Sequence, residues 1–393
     1  MTVAYDAVII GAGPAGSTAA ITLARQGRAV AIIEKTEFPR RKVCGEFISA
    51  TNLALLDTLG IGDAWRAEAG PEVRRVGFFG GDVCTQARMP SKGGFGRALG
   101  RDMLDRLLLD AARAAGAEIL QPWRAVGIER EGELQAVTIE ANKEEKVLHA
   151  PVVIAAHGSW EPGKLPSQLA KINDPSDLLG FKAHFKGSAL APDLMPLLVF
   201  PGGYGGMVLA DHGRLSLSCC IRRDTLAEMR RTYASASAAE AVHRHIVDRC
   251  RGARNAIGHA SLDGPWLASG PIRPGIRSRY DRDIFRVGNI AGESHPIIAE
   301  GISMAMQSGW LLADQLVRVD ATRQAERALA AARYAAAWRR LFATRIRAAS
   351  AFAQIAVQPA SARIMTAVIR LLPATLTLGA ALSGKTKSVP GLA

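Results

Sequence analysis

Cysteine is scarce in this chain of 393 residues, and its five cysteines are scattered along the sequence. An odd number of scattered cysteines argues against a disulfide framework. The first residues carry no basic segment of the kind that begins a secretory signal, and they lead directly into an apolar strand pattern. We therefore expect the protein to work in the reducing cytoplasm.

Acidic residues are missing from the end of the chain. None follows Glu326, whereas ten lysines and arginines do, and the net charge of the whole chain is +13. The segment 330–355 combines five arginines with Trp338, Phe342 and several alanines, which predicts a basic amphipathic helix. Such a helix suits either a cap with a solvated face or peripheral contact with the inner face of an anionic membrane.

A long apolar run is missing as well. The uncharged, mainly apolar run after Arg370 is about a dozen residues, which is short of the ~20 that a spanning helix requires. No nucleic-acid recognition module accompanies the basic charge, so no nucleic-acid partner is expected. With 48% hydrophobic and 22% charged residues the composition is globular, and the length suggests two interlocked domains.

A glycine-rich segment, Gly11–Gly16, follows an apolar strand pattern and opens a helix of small residues. Gly11 permits a tight turn, Gly13 lets the backbone approach a pyrophosphate, and Gly16 lets helix and strand pack closely. Glu34 ends the next strand, where its carboxylate can accept the hydroxyls of an adenosine ribose, and an acid there disfavours NADP. The residues predicted to bind the dinucleotide in this unit are Gly11, Gly13, Pro14, Ala15, Gly16, Glu34 and Lys35.

Five later segments resemble one family of flavoproteins. Phe38–Glu46 is similar to the segment after the second strand in geranylgeranyl reductase-type flavoproteins and flavin-dependent halogenases. Arg97–Arg101 and Val287–Gly292 resemble the arginine strand and the second flavin motif of the p-hydroxybenzoate hydroxylase-like (group A monooxygenase) superfamily. Pro296–Ile302 and Phe200–Gly205 resemble the flavin loop and the substrate-domain Gly-Tyr-x-Trp motif of the reductases.

The resemblance implies FAD as the cofactor. It adds to the cofactor-binding residues Arg41, Cys44, Gly45, Arg101, Gly288, Asn289, Gly301 and Ile302. It also implies Cys44 and Glu300 as candidate catalytic residues and Tyr204, His295 and Pro296 as pocket residues. The sequence holds one dinucleotide fingerprint, so the electron donor, NAD(P)H or another carrier, is expected to bind transiently.

Several candidate residues keep a structural alternative. Cys44 is equally well read as a small buried thiol, and Glu300 as an acid near a helix N-terminus. His243 and His245 would face apart on a helix, so no metal site is expected.

The chain departs from the family pattern at four places. Asn289 stands where the superfamily carries Asp, His157 begins a segment that usually reads Asp-Gly, and Ala299 replaces a glycine. Gly206 and Met207 stand where the reductases carry Trp, so a pocket of a different shape is expected. The tryptophan motif of the halogenases is absent, which weighs against halogenation.

The predicted fold class is mixed α/β. A Rossmann-like FAD-binding domain with a parallel sheet (1–75, 95–178 and 275–325) is interleaved with an antiparallel-sheet substrate domain (76–94 and 179–274), and a basic helical region (326–393) follows. The predicted function is that of an FAD-dependent oxidoreductase acting on a hydrophobic polyketide-, phenol- or prenyl-type molecule. Monooxygenation and hydride reduction or dehydrogenation at flavin N5 both remain open. The alternative is a non-catalytic or NAD-type binding protein that serves a membrane complex.

Overall fold

The computed structural model describes residues 5–91, 93–160, 162–170, 172–233, 237–385 and 389. The helices are α1 (Pro14–Ala24), α2 (Leu53–Thr58), α3 (Gly62–Glu68), α4 (Arg101–Ala114), α5 (Arg223–Thr232), α6 (Ala238–Arg249), α7 (Arg251–Ile257), α8 (Gly301–Leu316), α9 (Gln324–Val357), α10 (Pro359–Leu371) and α11 (Ala374–Ala380). The strands are β1 (Ala7–Ile10), β2 (Val30–Ile33), β3 (Phe47–Ile48), β4 (Arg75–Gly80), β5 (Val83–Arg88), β6 (Arg97–Ala98), β7 (Glu118–Leu120), β8 (Arg124–Glu131), β9 (Leu134–Ala141), β10 (Glu144–Ala150), β11 (Val152–Ala155), β12 (Leu178–Lys186), β13 (Leu194–Phe200), β14 (Gly203–Leu209), β15 (Leu215–Arg222), β16 (Ser261–Leu262), β17 (Leu267–Ile272), β18 (Gly275–Ile276), β19 (Tyr280–Asp281), β20 (Ile284–Arg286) and β21 (Gly292–Glu293).

The first sheet is built around strand β1, whose four residues are all buried. Its strand order is β19-β20-β11-β1-β2-β7, and every pair except β19 with β20 is parallel. Continuous apolar runs suit strands of this kind because helices or other strands cover both faces. Helices α1 and α8 pack together on one face, and strands β8, β9 and β10 cover the other.

The second sheet takes strands from two separate stretches of the chain. Its order is β16-β12-β15-β14-β13-β4-β5, with β17 also paired to β12. All its pairs are antiparallel except β4 with β13, in agreement with the antiparallel sheet predicted for this part of the chain. Helices α5, α6 and α7 cover one face of this sheet. The mixed fold class, with one parallel and one antiparallel sheet, is therefore confirmed, whereas the proposed domain boundaries stay a prediction.

Helix α9 runs without interruption from Gln324 to Val357 and packs against α8. Its apolar side is not a free surface, because Trp338 and Phe342 are buried in the core around α1 and α8. Arg327 and Arg345 are buried on the same helix. The predicted helix is thus present, and its aromatic face forms part of the interior.

The chain bends sharply after α10. Within the described residues no single helix is long and apolar enough to cross a membrane. One pair, Ala360–Leu371 with Ala374–Lys385, passes the same test of length and composition only when taken together, and it is bent by 114°.

Candidate active site

One large cavity of about 810 Å³ joins most of the residues that the sequence singled out. It extends from the turn after β1 to the inner face of the second sheet and to helices α10 and α11. Its lining contains the predicted residues Gly11, Gly13, Pro14, Ala15, Glu34, Lys35, Arg41, Cys44, Gly45, Arg101, Tyr204, Gly288, Asn289, Pro296, Gly301 and Ile302. Three predicted residues, Gly16, His295 and Glu300, lie behind this lining.

The turn from β1 into α1 is shaped by its glycines. Gly11 has a φ of 109°, and a side chain there would meet the backbone of Ala156. A Cβ on Gly16 would lie 2.0 Å from the carbonyl oxygen of Gly11, so only glycine lets helix and strand approach this closely. Gly13 differs, because a Cβ there would meet only the Arg101 guanidinium, at 3.8 Å. Gly13 is therefore open toward the cavity.

The start of α1 offers unpaired donors. The N–H groups of Ala15 and Gly16 have no acceptor among the described residues, as expected in the first turn of a helix. Together with the helix dipole they favour an anion at this point of the cavity.

Glu34 closes the other side of the same turn. Its Oε2 accepts a hydrogen bond from the Ala12 N–H at 3.1 Å, and its Oε1 accepts bonds from Thr36 and from Arg40, the latter at 2.7 Å. The carboxylate is only 3% exposed yet lines the cavity. It is thus held in place at the position where the sequence predicts contact with an adenosine ribose.

Arg101 is fixed at the start of α4 by a two-pronged ion pair with Asp105. The Nε–Oδ1 and Nη2–Oδ2 distances are 2.7 and 2.8 Å, and the Asp105 carboxylate is fully buried. Burial alone would lower the pKa of Arg101, but Asp105 and Cys44 raise it above its ordinary value. The guanidinium therefore stays charged, and it faces the phosphate end of the cavity near Gly13.

Glu46 lies at the centre of a buried charge cluster that sequence analysis did not assemble. Its carboxylate pairs with Lys182, accepts a bond from the Arg101 N–H at 3.1 Å, and lies 2.8 Å from His184 Nε2. Burial would raise the pKa of Glu46, but Lys182 and His184 hold it well below its usual range. Its φ of 63° is unusual for a non-glycine residue, and these contacts hold it there. The sequence did contain one indication of this cluster. Lys182 and His184 are two residues apart in the apolar strand β12, so their polar side chains share one face of that strand.

Cys44 and Arg41 also lie along this part of the cavity. The Cys44 thiol is half-buried and accepts a hydrogen bond from the Glu46 N–H, with an N–Sγ distance of 3.4 Å. The Arg41 Nη1 donates to the Asp263 carbonyl at 2.9 Å, so this side chain ties the segment to the loop between β16 and β17. A role for Cys44 in the chemistry stays a prediction.

The second predicted flavin motif forms a tight turn beside α1. Gly288 has a φ of 63°, and a Cβ there would lie 3.0 Å from that of Ala15, so the glycine permits this close approach. The Asn289 amide donates to Glu293 at 3.3 Å. Glu293 also accepts bonds from Ser159 and Trp160 at 2.7 and 3.0 Å. Position 289 thus lacks the carboxylate of the family pattern, but the buried side chain of Glu293 lies next to Asn289.

Glu300 is fully buried immediately before α8. Its carboxylate lies 2.8 Å from the Lys385 ammonium and accepts a bond from the Ser49 hydroxyl at 3.1 Å. Lys385 also donates to the Ile298 carbonyl at 2.9 Å, so the last helical turn of the described chain is tied to the loop before α8. This arrangement favours the structural alternative for Glu300, and its catalytic role stays a prediction.

Tyr204 and His295 form a polar pair next to an otherwise apolar wall. The Tyr204 hydroxyl lies 3.1 Å from His295 Nδ1, and the tyrosine belongs to strand β14 rather than to the preceding turn. Burial raises the pKa of Tyr204 well above its ordinary value and lowers the pKa of His295 to about 4. At neutral pH the phenol is protonated and the imidazole is uncharged, so the two side chains form a hydrogen bond between neutral groups.

The residues present fit an FAD molecule. The open face at Gly13, the unpaired N–H groups of α1, Arg101 and Glu34 match the demands of an adenosine diphosphate. A Cβ on Gly301 would meet no atom within 4 Å, so the start of α8 is likewise open for a flavin. The cavity is large enough for more than a nucleotide, since its lining continues past this point onto the second sheet.

Comparison with known proteins identifies the N-terminal part of the chain. Residues 4–179 match the model of an FAD binding domain. Conditioned medium factor receptor 1 of Dictyostelium discoideum is 26% identical over 80% of this chain and 63% of its own length. Menaquinone reductase of Mycobacterium tuberculosis is 36% identical over 34% of this chain, and the match spans only 33% of that protein. Digeranylgeranylglycerophospholipid reductase 1 of Methanothermobacter thermautotrophicus is 28% identical over 79% of this chain and 76% of its own length.

Solved structures share the fold over nearly the whole chain. A geranylgeranyl bacteriochlorophyll reductase-like protein from Thermoplasma acidophilum has a TM-score of 0.71 at 20% identity, covering 100% of this chain and 94% of its own. A myxobacterial chondrochloren halogenase has a TM-score of 0.78 at 19% identity, covering 97% and 90%. At these identities the likeness concerns the fold alone. Residues 4–179 thus form an FAD binding domain, and over most of its length the chain is similar to FAD-dependent oxidoreductases of the geranylgeranyl reductase and group A flavin monooxygenase type.

Proposed function

We propose that this protein is a reductase that adds hydrogen across a carbon–carbon double bond of a hydrophobic, prenyl-type substrate. One observation carries the proposal: a single cavity connects the dinucleotide unit with a wall of apolar side chains. That wall comprises Met195, Leu197, Met207, Ile297, Ile369 and Leu376. Such a surface binds a hydrocarbon chain by removing its apolar area from water.

The cofactor side of the cavity positions and tunes the bound group. FAD, when reduced, supplies a hydride to the substrate. Arg101 and the start of α1 would hold the pyrophosphate, and Glu34 would hold the ribose. The N-terminus of α8 would favour negative charge at its opening, where the dipole is positive.

The substrate side supplies the proton that balances the transfer. Addition of a hydride to one carbon of the double bond requires a proton at the other carbon. Tyr204 carries a protonated hydroxyl in the lining of the cavity, which can give its proton to that carbon, and the hydrogen bond with His295 holds this hydroxyl in position. Both groups are uncharged at neutral pH, so they fit beside an apolar chain at little desolvation cost.

The names of the relatives support this choice of reaction. Two of the three curated relatives compared above are reductases, and one of them is named for a lipid that carries geranylgeranyl chains. The electron donor we propose is NAD(P)H or another carrier that binds transiently, because the sequence contains one dinucleotide fingerprint.

Monooxygenation is the second candidate. Gly206 and Met207 favour it, because they stand where the reductases carry an aromatic residue and both line the cavity. A pocket without that aromatic side chain differs in shape from the one that the reductase motif describes.

Product mass separates the two candidates. Purified FAD-loaded protein is supplied with reductant and a geranylgeranyl-bearing glycerophospholipid, with and without oxygen, and products are analysed by mass spectrometry. We expect a product heavier by two hydrogen atoms under both conditions. A product heavier by one oxygen atom, formed only with oxygen, would replace the reductase with the monooxygenase, and the absence of any product would reject this substrate class.

A further inference from the structure

The last two helices carry apolar side chains on the face that points away from the protein. On α10, Ile364, Val368 and Leu371 recur three or four residues apart and therefore share one helix face. Ile364 is 67% and Leu371 73% exposed, although both are large and apolar. The same pattern continues after the bend. We call the set Ile364, Val368, Leu371, Leu372, Leu378 and Leu382 the outer apolar surface.

The opposite face of the same helices lines the cavity. Met365 and Ile369 on α10 and Leu376 on α11 belong to the cavity lining. Val368 belongs to both surfaces, since it lines the cavity and is 44% exposed. A layer one helix thick thus separates the apolar interior from the outer apolar surface, and Val368 contacts both.

Positive charge accompanies this surface. Arg363 and Arg370 are exposed about two turns apart along α10 and lie together beside its apolar face. Arg333, Arg340 and Arg347 are exposed at seven-residue intervals along α9, which packs against α10. None of these five arginines forms an ion pair with another described residue, and no acidic residue follows Glu326 in the sequence. The region is therefore suited to an anionic partner.

The shape of the helix pair suits a position on the surface of a membrane rather than one across it. The chain bends by 114° between the two helices, and neither is long enough to span a bilayer by itself. Their inner faces are engaged by the protein, because Ile369 and Leu376 are buried. Only the outer faces are left for a partner, which is the arrangement of a helix that lies in the interface of a membrane.

We propose that the outer apolar surface docks this protein onto the face of an anionic lipid bilayer. The apolar side chains enter the boundary between headgroups and acyl chains, while the arginines of α9 and α10 contact lipid phosphates. Val368, which lines the cavity, then lies against the acyl layer, so that a lipophilic molecule passes beside it into the cavity without crossing water. The docking itself does not depend on the reaction, so it can be tested without turnover.

Vesicle flotation of the full FAD-loaded chain tests this proposal. The vesicles contain phosphatidylcholine alone or phosphatidylcholine with phosphatidylglycerol. The triple variant Ile364→Ser, Leu371→Ser and Leu378→Ser removes apolar area without changing charge. Ile172→Ser is the matched control, because Ile172 is 69% exposed but lies on a loop outside these helices. Retention of the FAD absorbance shows that each variant is folded.

We expect the wild type and Ile172→Ser to float with the anionic vesicles and the triple variant to bind at least ~10-fold more weakly. Arg363→Gln with Arg370→Gln should weaken binding to anionic vesicles only, and added salt should do the same. Equal flotation of the triple variant and the wild type would overturn the proposal, as would a wild type that binds neither kind of vesicle. A wild-type dimer in lipid-free buffer that the triple variant converts to monomer would assign the surface to a second copy of the chain instead.

Discussion

The two ends of the cavity are built in opposite ways. The adenine end comes from one short stretch, Gly11 to Glu34. Contacts within this stretch or next to it explain why each glycine and the acid are needed. The substrate end is assembled from β13 and β14, the loop before α8, and the helices α10 and α11. Local geometry therefore determines where the cofactor binds, whereas contacts between distant segments determine what lies next to it. Substitutions at the two ends should therefore differ in their effects on stability, FAD binding and turnover.

The largest effect is expected where the two ends are joined, at the buried Glu46 cluster. Glu46→Gln leaves Lys182 buried without its counter-charge, which should lower the free energy of unfolding by about 3–5 kcal/mol at pH 7. Asp57→Asn is the matched control, since its pair with Arg66 is exposed to solvent and should contribute little to stability. Denaturant unfolding of both variants measures the difference. Equal, small losses would show that the cluster does not hold the two sheets together.

The same cluster gives a pH dependence with a definite sign. The folded-state pKa of Glu46 lies below its ordinary value of 4.5, so its contribution is present above pH 4.5 and is lost as the pH falls below it. The stability difference between the wild type and Glu46→Gln should therefore be constant near neutrality and shrink in acid. A difference that grows in acid would contradict this ionisation state.

A smaller loss of stability is expected at the adenine end. Gly16→Ala places a Cβ against the Gly11 carbonyl and should cost about 3 kcal/mol. Gly379→Ala is the control, because a Cβ there meets no atom within 4 Å. Thermal unfolding followed by circular dichroism checks both. A Gly16→Ala protein as stable as the control would mean that α1 and β1 tolerate a wider separation.

Gly13→Ala should leave stability unchanged and act on the cofactor alone. Its Cβ has room within the protein but occupies the space that FAD would fill, so we expect the FAD dissociation constant to rise at least ~10-fold. Titration of apo-protein with FAD, followed by flavin fluorescence, measures this. Unchanged affinity would show that the pyrophosphate does not lie against this turn.

The smallest effect on the protein itself is expected at the substrate end. Tyr204→Phe should leave stability and FAD binding close to wild type, yet lower kcat for the prenyl substrate by ~100-fold, since the proton donor is lost. Steady-state kinetics with the same lipid measures it. A change in KM with kcat retained would make Tyr204 a binding residue rather than the donor.

This contrast also explains how far the sequence could be interpreted. The turn at Gly11, the acid at 34 and the mixed α/β class were predictable, because period, glycine spacing and strand order are local properties. The pairing of Glu46 with Lys182 and His184 was not, because 136 and 138 residues separate the partners, and their pairing depends on how the two sheets meet. The Glu300–Lys385 pair has the same origin.

The C-terminal region shows the same limit. Its charge and helical character could be predicted from the sequence. The basic amphipathic helix over 330–355 was expected to present its aromatic residues either to a membrane or to the rest of the protein. Trp338 and Phe342 face the interior, and most of the large apolar side chains exposed in this region lie on or next to α10 and α11. Composition alone does not tell which of two apolar faces finds a partner within the fold.

The central claim is that one cavity brings FAD and a prenyl chain together, and a single-turnover experiment tests it most directly. FAD-loaded protein is photoreduced without oxygen and mixed with a geranylgeranyl-bearing glycerophospholipid, and the flavin absorbance is followed. The account predicts that the oxidised flavin bands return at a rate that rises with lipid concentration, while a fully saturated lipid of the same headgroup has no effect. A flavin that stays reduced with both lipids, and is reoxidised only when oxygen is admitted, would contradict it.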